Sequence, residues 1–128
     1  MSAKRVLVVD DRPDILGFML IGLESAGFEV DVAANGREAL ELQRQRAADV
    51  VITDIFMPEM DGLEAIDRIR ADYPATRIIA MSSGAARMQD YLGVAKEIGA
   101  DATLQKPFST RELVRLVREL AEAPPRRP

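Results

Sequence analysis

The sequence predicts an α/β fold in which one sheet of five parallel strands is covered on both faces by five helices. Short apolar runs alternate along the chain with stretches whose apolar residues recur at helical spacing. A helix that crosses between parallel strands must bury its apolar stripe against the sheet. The 128 residues are 48% hydrophobic, which is enough for one hydrophobic core. We therefore expect a single domain over residues 1–122, followed by a tail or the start of a linker over residues 123–128.

The first two strand and helix pairs lie in the N-terminal part of the chain. Residues 6–9 form a continuous apolar run that predicts a central strand, and residues 28–33 predict a second strand. Pro13 suits the first turn of the helix that Gly27 ends. Asn35, with a glutamate three residues later, has the spacing of a capping pair and opens the second helix.

The third strand delivers a carboxylate to a turn. Residues 50–52 are apolar and predict a strand buried on both faces, and Asp54 follows where the core needs no charge. Pro58 and Gly62 stop this strand and turn the chain toward a third helix, which Asp61 can cap.

The last two pairs complete the alternation. Residues 77–81 predict the fourth strand, and Gly99 closes the fourth helix. Residues 102–105 predict a fifth, weaker strand. Ser109 and Glu112 have capping-box spacing and begin an amphipathic last helix.

The composition excludes several kinds of site and partner. The chain has no cysteine, which rules out a disulfide scaffold and a thiol nucleophile, and no histidine, which removes the commonest zinc ligand. A net charge of −4 argues against nucleic acid as a direct partner. The run at residues 6–9 is too short for a signal sequence or a membrane span. We therefore expect a cytoplasmic protein that does not bind a membrane.

Polar side chains follow four of the predicted strands. Asp10 and Asp11 follow the first strand, Asp54 the third, Ser82 the fourth and Lys106 the fifth. The carboxyl ends of parallel strands meet at one edge of a sheet, where sites form. Each residue alone has a simpler explanation as a helix cap, a turn residue or a solvated charge. Their joint placement at one edge favours a functional site.

Three carboxylates at one edge repel one another, so they must take up protons or bind a cation. The available ligands are oxygen atoms, which favours Mg²⁺ over zinc. Lys106 adds a positive charge and Ser82 a hydroxyl donor, and both can stabilise a phosphoryl group during transfer. Asp54 is then the predicted nucleophile, and its product is an acyl phosphate.

These residues resemble the receiver domain of bacterial two-component response regulators, such as the single-domain chemotaxis regulator. The resemblance covers residues 5–120. It depends on the acidic pair after the first strand, on Ser82 and on two longer motifs. The motifs are Asp54-Ile-Phe-Met-Pro-Glu-Met-Asp-Gly62 and Lys106-Pro-Phe108.

The resemblance implies a flavodoxin-like strand order of 2-1-3-4-5. It implies that Asp54 accepts a phosphoryl group from a phosphohistidine on a sensor histidine kinase or a histidine phosphotransfer protein. Asp11, Asp54 and the main-chain carbonyl of Phe56 would bind Mg²⁺, and Asp10 would help through a water molecule. Lys106 would pair with the phosphoryl oxygens, and its bond to the following proline is cis in relatives.

A conformational switch is also implied by the resemblance. Ser82 would move to hydrogen-bond the phosphoryl group, and the shift would reach a downstream protein through the face of the fourth helix, fifth strand and fifth helix. Relatives often carry Tyr or Phe where this chain has Thr103, so the aromatic part of the switch is missing. Phe56 and Gly84 cannot orient a hydrolytic water, so we expect slow self-dephosphorylation. The protein would be a monomer or a phosphorylation-dependent dimer.

The same residues are compatible with other functions. The chain could be the receiver module of a longer regulator or of a hybrid kinase. A Mg²⁺-dependent phosphate-processing enzyme is less favoured, because Phe56 stands where an aspartyl-phosphate hydrolase needs a second acid. The acidic first strand–helix turn lacks a glycine-rich loop and disfavours nucleotide binding. We expect a signalling receiver that assists its own phosphorylation and dephosphorylation, and not an enzyme.

Overall fold

A computed structural model describes residues 3–55, 62–82 and 93–124. Five strands form one parallel sheet in the order β2-β1-β3-β4-β5, which confirms the predicted architecture and strand order. The strands are β1 (Arg5–Val9), β2 (Glu29–Ala33), β3 (Val50–Asp54), β4 (Arg77–Ser82) and β5 (Ala102–Gln105). Ser82, which was expected just after β4, is the last residue of that strand.

Helices follow the strands along the chain. They are α1 (Pro13–Ser25), α2 (Gly36–Gln45), α3 (Gly62–Asp72), the helical segment α4 (93–98) and α5 (Thr110–Glu122). Gly27 and Gly99 follow α1 and α4 with φ values of 98° and 133°, a conformation that glycine adopts without strain. Among the described residues, no helix is long and apolar enough to span a membrane.

Side-chain caps begin two of the helices as the sequence predicts. The Asn35 side chain accepts a hydrogen bond from the Glu38 amide at α2, and Ser109 accepts one from the Glu112 amide at α5. Such a cap stabilises a helix by about 1 kcal/mol. The predicted cap at Asp61 lies outside the described residues.

The sheet is buried on both faces. Leu7 and Val51 face the cluster that includes Ile66 of α3, whereas Val8 and Ile52 face the cluster that includes residues of α1 and α5. Burial of each large apolar side chain contributes roughly 1.5–3 kcal/mol. The two clusters therefore hold the strands, and the residues at their carboxyl ends, in a fixed register.

Candidate functional site

Three carboxylates meet at the carboxyl edge of the sheet. One oxygen atom from each of Asp10, Asp11 and Asp54 lies within 4.8 Å of the other two. Asp10 is fully buried, Asp54 is partly buried and Asp11 is exposed. The sheet brings them together because β1 and β3 are neighbours, with Val9 of β1 paired to Thr53 of β3.

Lys106 links two of these acids. Its Nζ donates hydrogen bonds to Oδ2 of Asp10 at 2.7 Å and to Oδ2 of Asp54 at 2.8 Å. The Lys106 side chain is only 14% exposed, so solvent screens this contact less than it screens a surface pair. Loss of the lysine would leave the fully buried Asp10 carboxylate without its cation, which is costly in a protein interior.

The pKa of Lys106 reflects these neighbours. Burial of the ammonium group acts to lower its pKa, but the hydrogen bonds to Asp10 and Asp54 and the charges of both carboxylates outweigh it. The net effect raises the pKa above the ordinary lysine value. Lys106 is therefore a cation at neutral pH and remains so well into the alkaline range.

Asp10 also organises the start of α1. The main-chain N–H of Arg12 donates to its Oδ1 at 2.9 Å, so both Asp10 oxygens accept hydrogen bonds. The N-cap residue of α1 is Arg12, and its side chain makes no capping hydrogen bond. Neither Asp10 nor Asp11 is therefore the N-cap residue of α1.

Ser82 stands at the end of β4, next to the Met81 that pairs with Asp54. Its side chain is buried, and within the described part of the chain Oγ has no hydrogen-bond partner. A buried hydroxyl without a partner costs roughly 1–3 kcal/mol.

Thr103 lies within β5, where it pairs with Ala80 of β4 and is partly buried.

One of the remaining site predictions is confirmed, and two others concern residues that the structure does not describe. The bond between Lys106 and Pro107 is cis, as the resemblance implied. Phe56 and Gly84 lie outside the described residues, so the proposed carbonyl ligand and the expectation of slow dephosphorylation stay predictions.

Two contacts to the Asp54 main chain were not predicted. Thr53 Oγ1 donates to the Asp54 carbonyl oxygen at 3.0 Å, and Gly62 packs directly against the same oxygen. A β-branched residue in a strand looks like a core residue, and a glycine after a proline-containing loop looks like a turn residue. The sequence carries no signal for either contact.

The donor set suits a hard divalent cation. The three clustered groups are all carboxylates, and the chain has neither histidine nor cysteine to favour a softer metal. One negative charge of the cluster is offset by Lys106, so the site keeps an excess of negative charge when the acids are ionised. The residues present therefore fit a magnesium ion.

Comparisons with known proteins match most of the chain to one family. The family model described as the response regulator receiver domain matches residues 6–118. The transcriptional regulatory protein PrrA of Mycobacterium leprae (strain TN) is 40% identical over 123 residues, which are 94% of this chain and 51% of PrrA. The chain therefore spans about half the length of this curated relative.

Solved structures of similar fold include a CheY-like receiver domain protein and a chemotaxis response regulator. The CheY-like receiver domain protein from Methanospirillum hungatei JF-1 has a TM-score of 0.87 and 30% identity, covering 94% of this chain and 95% of that chain. CheY4 of Vibrio cholerae has a TM-score of 0.84 and 33% identity, covering 93% of this chain and 99% of that chain. Because the family match covers most of its length, this chain belongs to the response regulator receiver domain family.

Proposed function

We propose that this receiver takes a phosphoryl group onto Asp54 from a phosphohistidine on a sensor histidine kinase or a histidine phosphotransfer protein. The observation that carries the proposal is the arrangement of Asp54 among its neighbours. Both oxygens of Asp10 are used by Lys106 and Arg12. Asp54, by contrast, is partly accessible at the end of β3 and still contacts Lys106, so it combines access with a stabilising cation.

Mg²⁺ is the proposed cofactor. Asp11 and Asp54 would bind it directly with the main-chain carbonyl of Phe56, and Asp10 would contribute through water. When bound, the ion supplies positive charge that offsets the clustered carboxylates and the phosphoryl oxygens. The proximity of the three carboxylates supports the ligand set Asp10, Asp11 and Asp54.

The proposed transfer is an exchange of one bond to phosphorus for another. A carboxylate oxygen of Asp54 forms a bond to phosphorus while the bond from phosphorus to the donor imidazole nitrogen breaks, and the electron pair of that bond stays on the nitrogen. Lys106 remains protonated and pairs with the phosphoryl oxygens. Its raised pKa supports this role, because a neutral amine could not offset the charge.

Ser82 is the proposed link between the phosphoryl group and the signalling face. Its buried hydroxyl would gain a hydrogen bond from a rearrangement toward Asp54, which favours the phosphorylated conformation. The shift would reach the face formed by α4, β5 and α5, where a downstream protein binds. Thr103, on β5, replaces the aromatic residue common in relatives, so the relay in this chain would depend on Ser82.

Receiver domains are signalling modules rather than conventional enzymes, and we propose that this one assists its own phosphorylation and dephosphorylation. The domain would comprise residues 1–122, with residues 123–128 as a tail or the start of a linker. It would act as a monomer or a phosphorylation-dependent dimer. The chain spans about half the length of its curated relative. The same coverage is expected if this receiver is one part of a longer regulator.

Intact-mass measurement after incubation with acetyl phosphate and Mg²⁺ tests the proposal. We expect wild type to gain the mass of one phosphoryl group, and Asp54→Asn to gain none. Asp67→Asn is a matched control, because Asp67 is an exposed acid on α3, in the groove between α2 and α3. Normal labelling of Asp54→Asn, or no labelling of wild type, would contradict the assignment.

A further inference from the structure

The main chain of Asp54 is held by residues from two elements. Thr53 is its neighbour in β3, and Gly62 is the first residue of α3. The Thr53 hydroxyl donates a hydrogen bond to the carbonyl oxygen of Asp54, and Gly62 lies directly against the same oxygen. The carboxylate is attached to this main chain, so both residues lie where they can affect its direction without touching a substrate.

Thr53 carries a hydroxyl that packing does not require. The residue is fully buried, and its strand neighbours are Val9 in β1 and Ala80 in β4. Alternate residues of a strand share one face, and Val51 on that face belongs to an apolar cluster. Valine would fill this position with the same shape. The hydroxyl instead donates to the Asp54 carbonyl oxygen at 3.0 Å.

Gly62 lies so close to Asp54 that no side chain fits. A Cβ at this position would stand 1.9 Å from the Asp54 carbonyl oxygen and 2.6 Å from the Cα of Ile55. Both obstacles are main-chain atoms, which cannot rotate away as a flexible side chain can. The Gly62 N–H also donates to the Ile55 carbonyl at 2.8 Å, which ties the start of α3 to the residue after the acid.

The carboxylate of Asp54 must satisfy two distances at once. It accepts a hydrogen bond from Lys106 at 2.8 Å, and it offers an oxygen within 4.8 Å of those from Asp10 and Asp11. A shift of the Asp54 main chain, including its Cα, would move the carboxylate relative to these groups. Misplacement of a reacting group by about 1 Å can slow a reaction by roughly 100-fold.

We propose that Thr53 and Gly62 are positioning residues that set the direction of the Asp54 carboxylate for phosphoryl acceptance. This inference rests on the proposed role of Asp54 as the phosphoacceptor. Thr53 acts through its hydroxyl and Gly62 through its lack of a side chain, and both act on the same carbonyl oxygen.

The Thr53 pair of variants gives the sharpest test. The rate of phosphorylation by acetyl phosphate in saturating Mg²⁺ should fall about tenfold in Thr53→Val and stay within about twofold of wild type in Thr53→Ser, which keeps the hydroxyl. The amide resonance of Ile55, which follows the affected carbonyl, should shift in Thr53→Val and return toward its wild-type position in Thr53→Ser. Circular dichroism should show both variants folded.

Gly62→Ala supplies the steric test. Its phosphorylation rate should fall by at least roughly 100-fold. Gly17→Ala is the matched control, because a Cβ at Gly17 would meet nothing within 4 Å, and its rate should equal that of wild type. If Gly62→Ala does not fold, the two Thr53 variants still decide the question.

The outcomes separate this inference from the proposed function. Wild-type labelling at Asp54 together with an unchanged rate and an unchanged Ile55 resonance in Thr53→Val would overturn the positioning role alone. Equal slowing in Thr53→Val and Thr53→Ser would also overturn it, because the hydroxyl would then not matter. Absence of labelling in wild type, or normal labelling of Asp54→Asn, would overturn the proposed function and this inference together.

Discussion

Replacement of Asp11 by asparagine should stabilise the metal-free protein. Asp11 has a carboxylate oxygen within 4.8 Å of oxygens from Asp10 and Asp54, whereas the hydrogen bonds of Lys106 go to the other two acids. Two unit charges at this separation repel by about 0.9 kcal/mol in water and about 3.5 kcal/mol at an effective dielectric constant of 20. Because Asp11 is exposed, solvent screening brings the expected gain to about 1 kcal/mol.

Magnesium should make wild type more stable than Asp11→Asn, which is the reverse of their order without metal. A ligand at 100 times its dissociation constant stabilises the folded state by about 2.7 kcal/mol. Wild type should receive this stabilisation, and Asp11→Asn should receive much less because it lacks one proposed ligand. The variant should therefore unfold at a higher temperature than wild type in EDTA and at a lower temperature in Mg²⁺. Circular dichroism is the suitable probe, because the chain has no tryptophan.

A neighbouring acid supplies the control. Asp14 pairs with Arg12 at 3.1 Å on an exposed part of α1 and is not one of the clustered acids. Asp14→Asn should leave the stabilisation by Mg²⁺ equal to that of wild type. The reasoning would be refuted if Asp11→Asn were less stable than wild type in EDTA, or if Mg²⁺ stabilised both proteins equally.

Three further predictions concern Lys106, Ser82 and the lifetime of the phosphoprotein. Lys106→Met should destabilise the metal-free protein by roughly 3 kcal/mol at neutral pH, because the buried Asp10 loses its cation. Since folding raises the pKa of Lys106, its contribution is complete below the ordinary lysine pKa of about 10.5 and is lost as pH rises through the folded-state pKa. Urea unfolding at neutral to alkaline pH should therefore show that the free energies of unfolding of wild type and Lys106→Met become more similar as the pH rises. A difference that does not change with pH would count against this explanation. Ser82→Ala should be labelled by acetyl phosphate and should be at least as stable as wild type in the absence of metal, because the lost hydroxyl makes no hydrogen bond within the described residues. Its hydrogen exchange in β5 and α5 should respond less to phosphorylation than that of wild type, and an unchanged response would remove Ser82 from the switch. Self-dephosphorylation in Mg²⁺ should be slow because Phe56 and Gly84 cannot orient a water, and a phosphoprotein lifetime of seconds by intact mass would contradict this.

Local sequence patterns predicted most of the fold. The central strands are recognisable because β1, β3 and β4 are buried on both faces, which requires continuous apolar runs such as residues 6–9 and 50–52. Helix starts were recognisable at Asn35 and Ser109, since their side chains cap amides that have no partner within the helix. The lateral order of strands was not available from periodicity, because the period of a strand does not identify its neighbour. It followed from the family resemblance.

The candidate site was predictable as a set of residues but not as a geometry. Parallel strands have their carboxyl ends at one edge of the sheet, so the acids at the ends of β1 and β3 were expected at the same edge. That β1 and β3 are neighbours is shown by the structure. The hydrogen bond of Lys106 to the buried Asp10 depends on distances that no local pattern encodes. Thr53 was missed for a related reason. Its side chain occupies a core position, and only the three-dimensional arrangement shows the hydroxyl donating to the Asp54 carbonyl.

Chemical localisation of the phosphoryl group tests the central claim most directly. After incubation with acetyl phosphate and Mg²⁺, borohydride reduces an aspartyl phosphate to homoserine, which peptide mass spectrometry can assign to one residue. We predict homoserine at Asp54 in wild type, none in Asp54→Asn, and none in wild type treated with EDTA. Homoserine at Asp10 or Asp11, or equal labelling with and without Mg²⁺, would contradict the account.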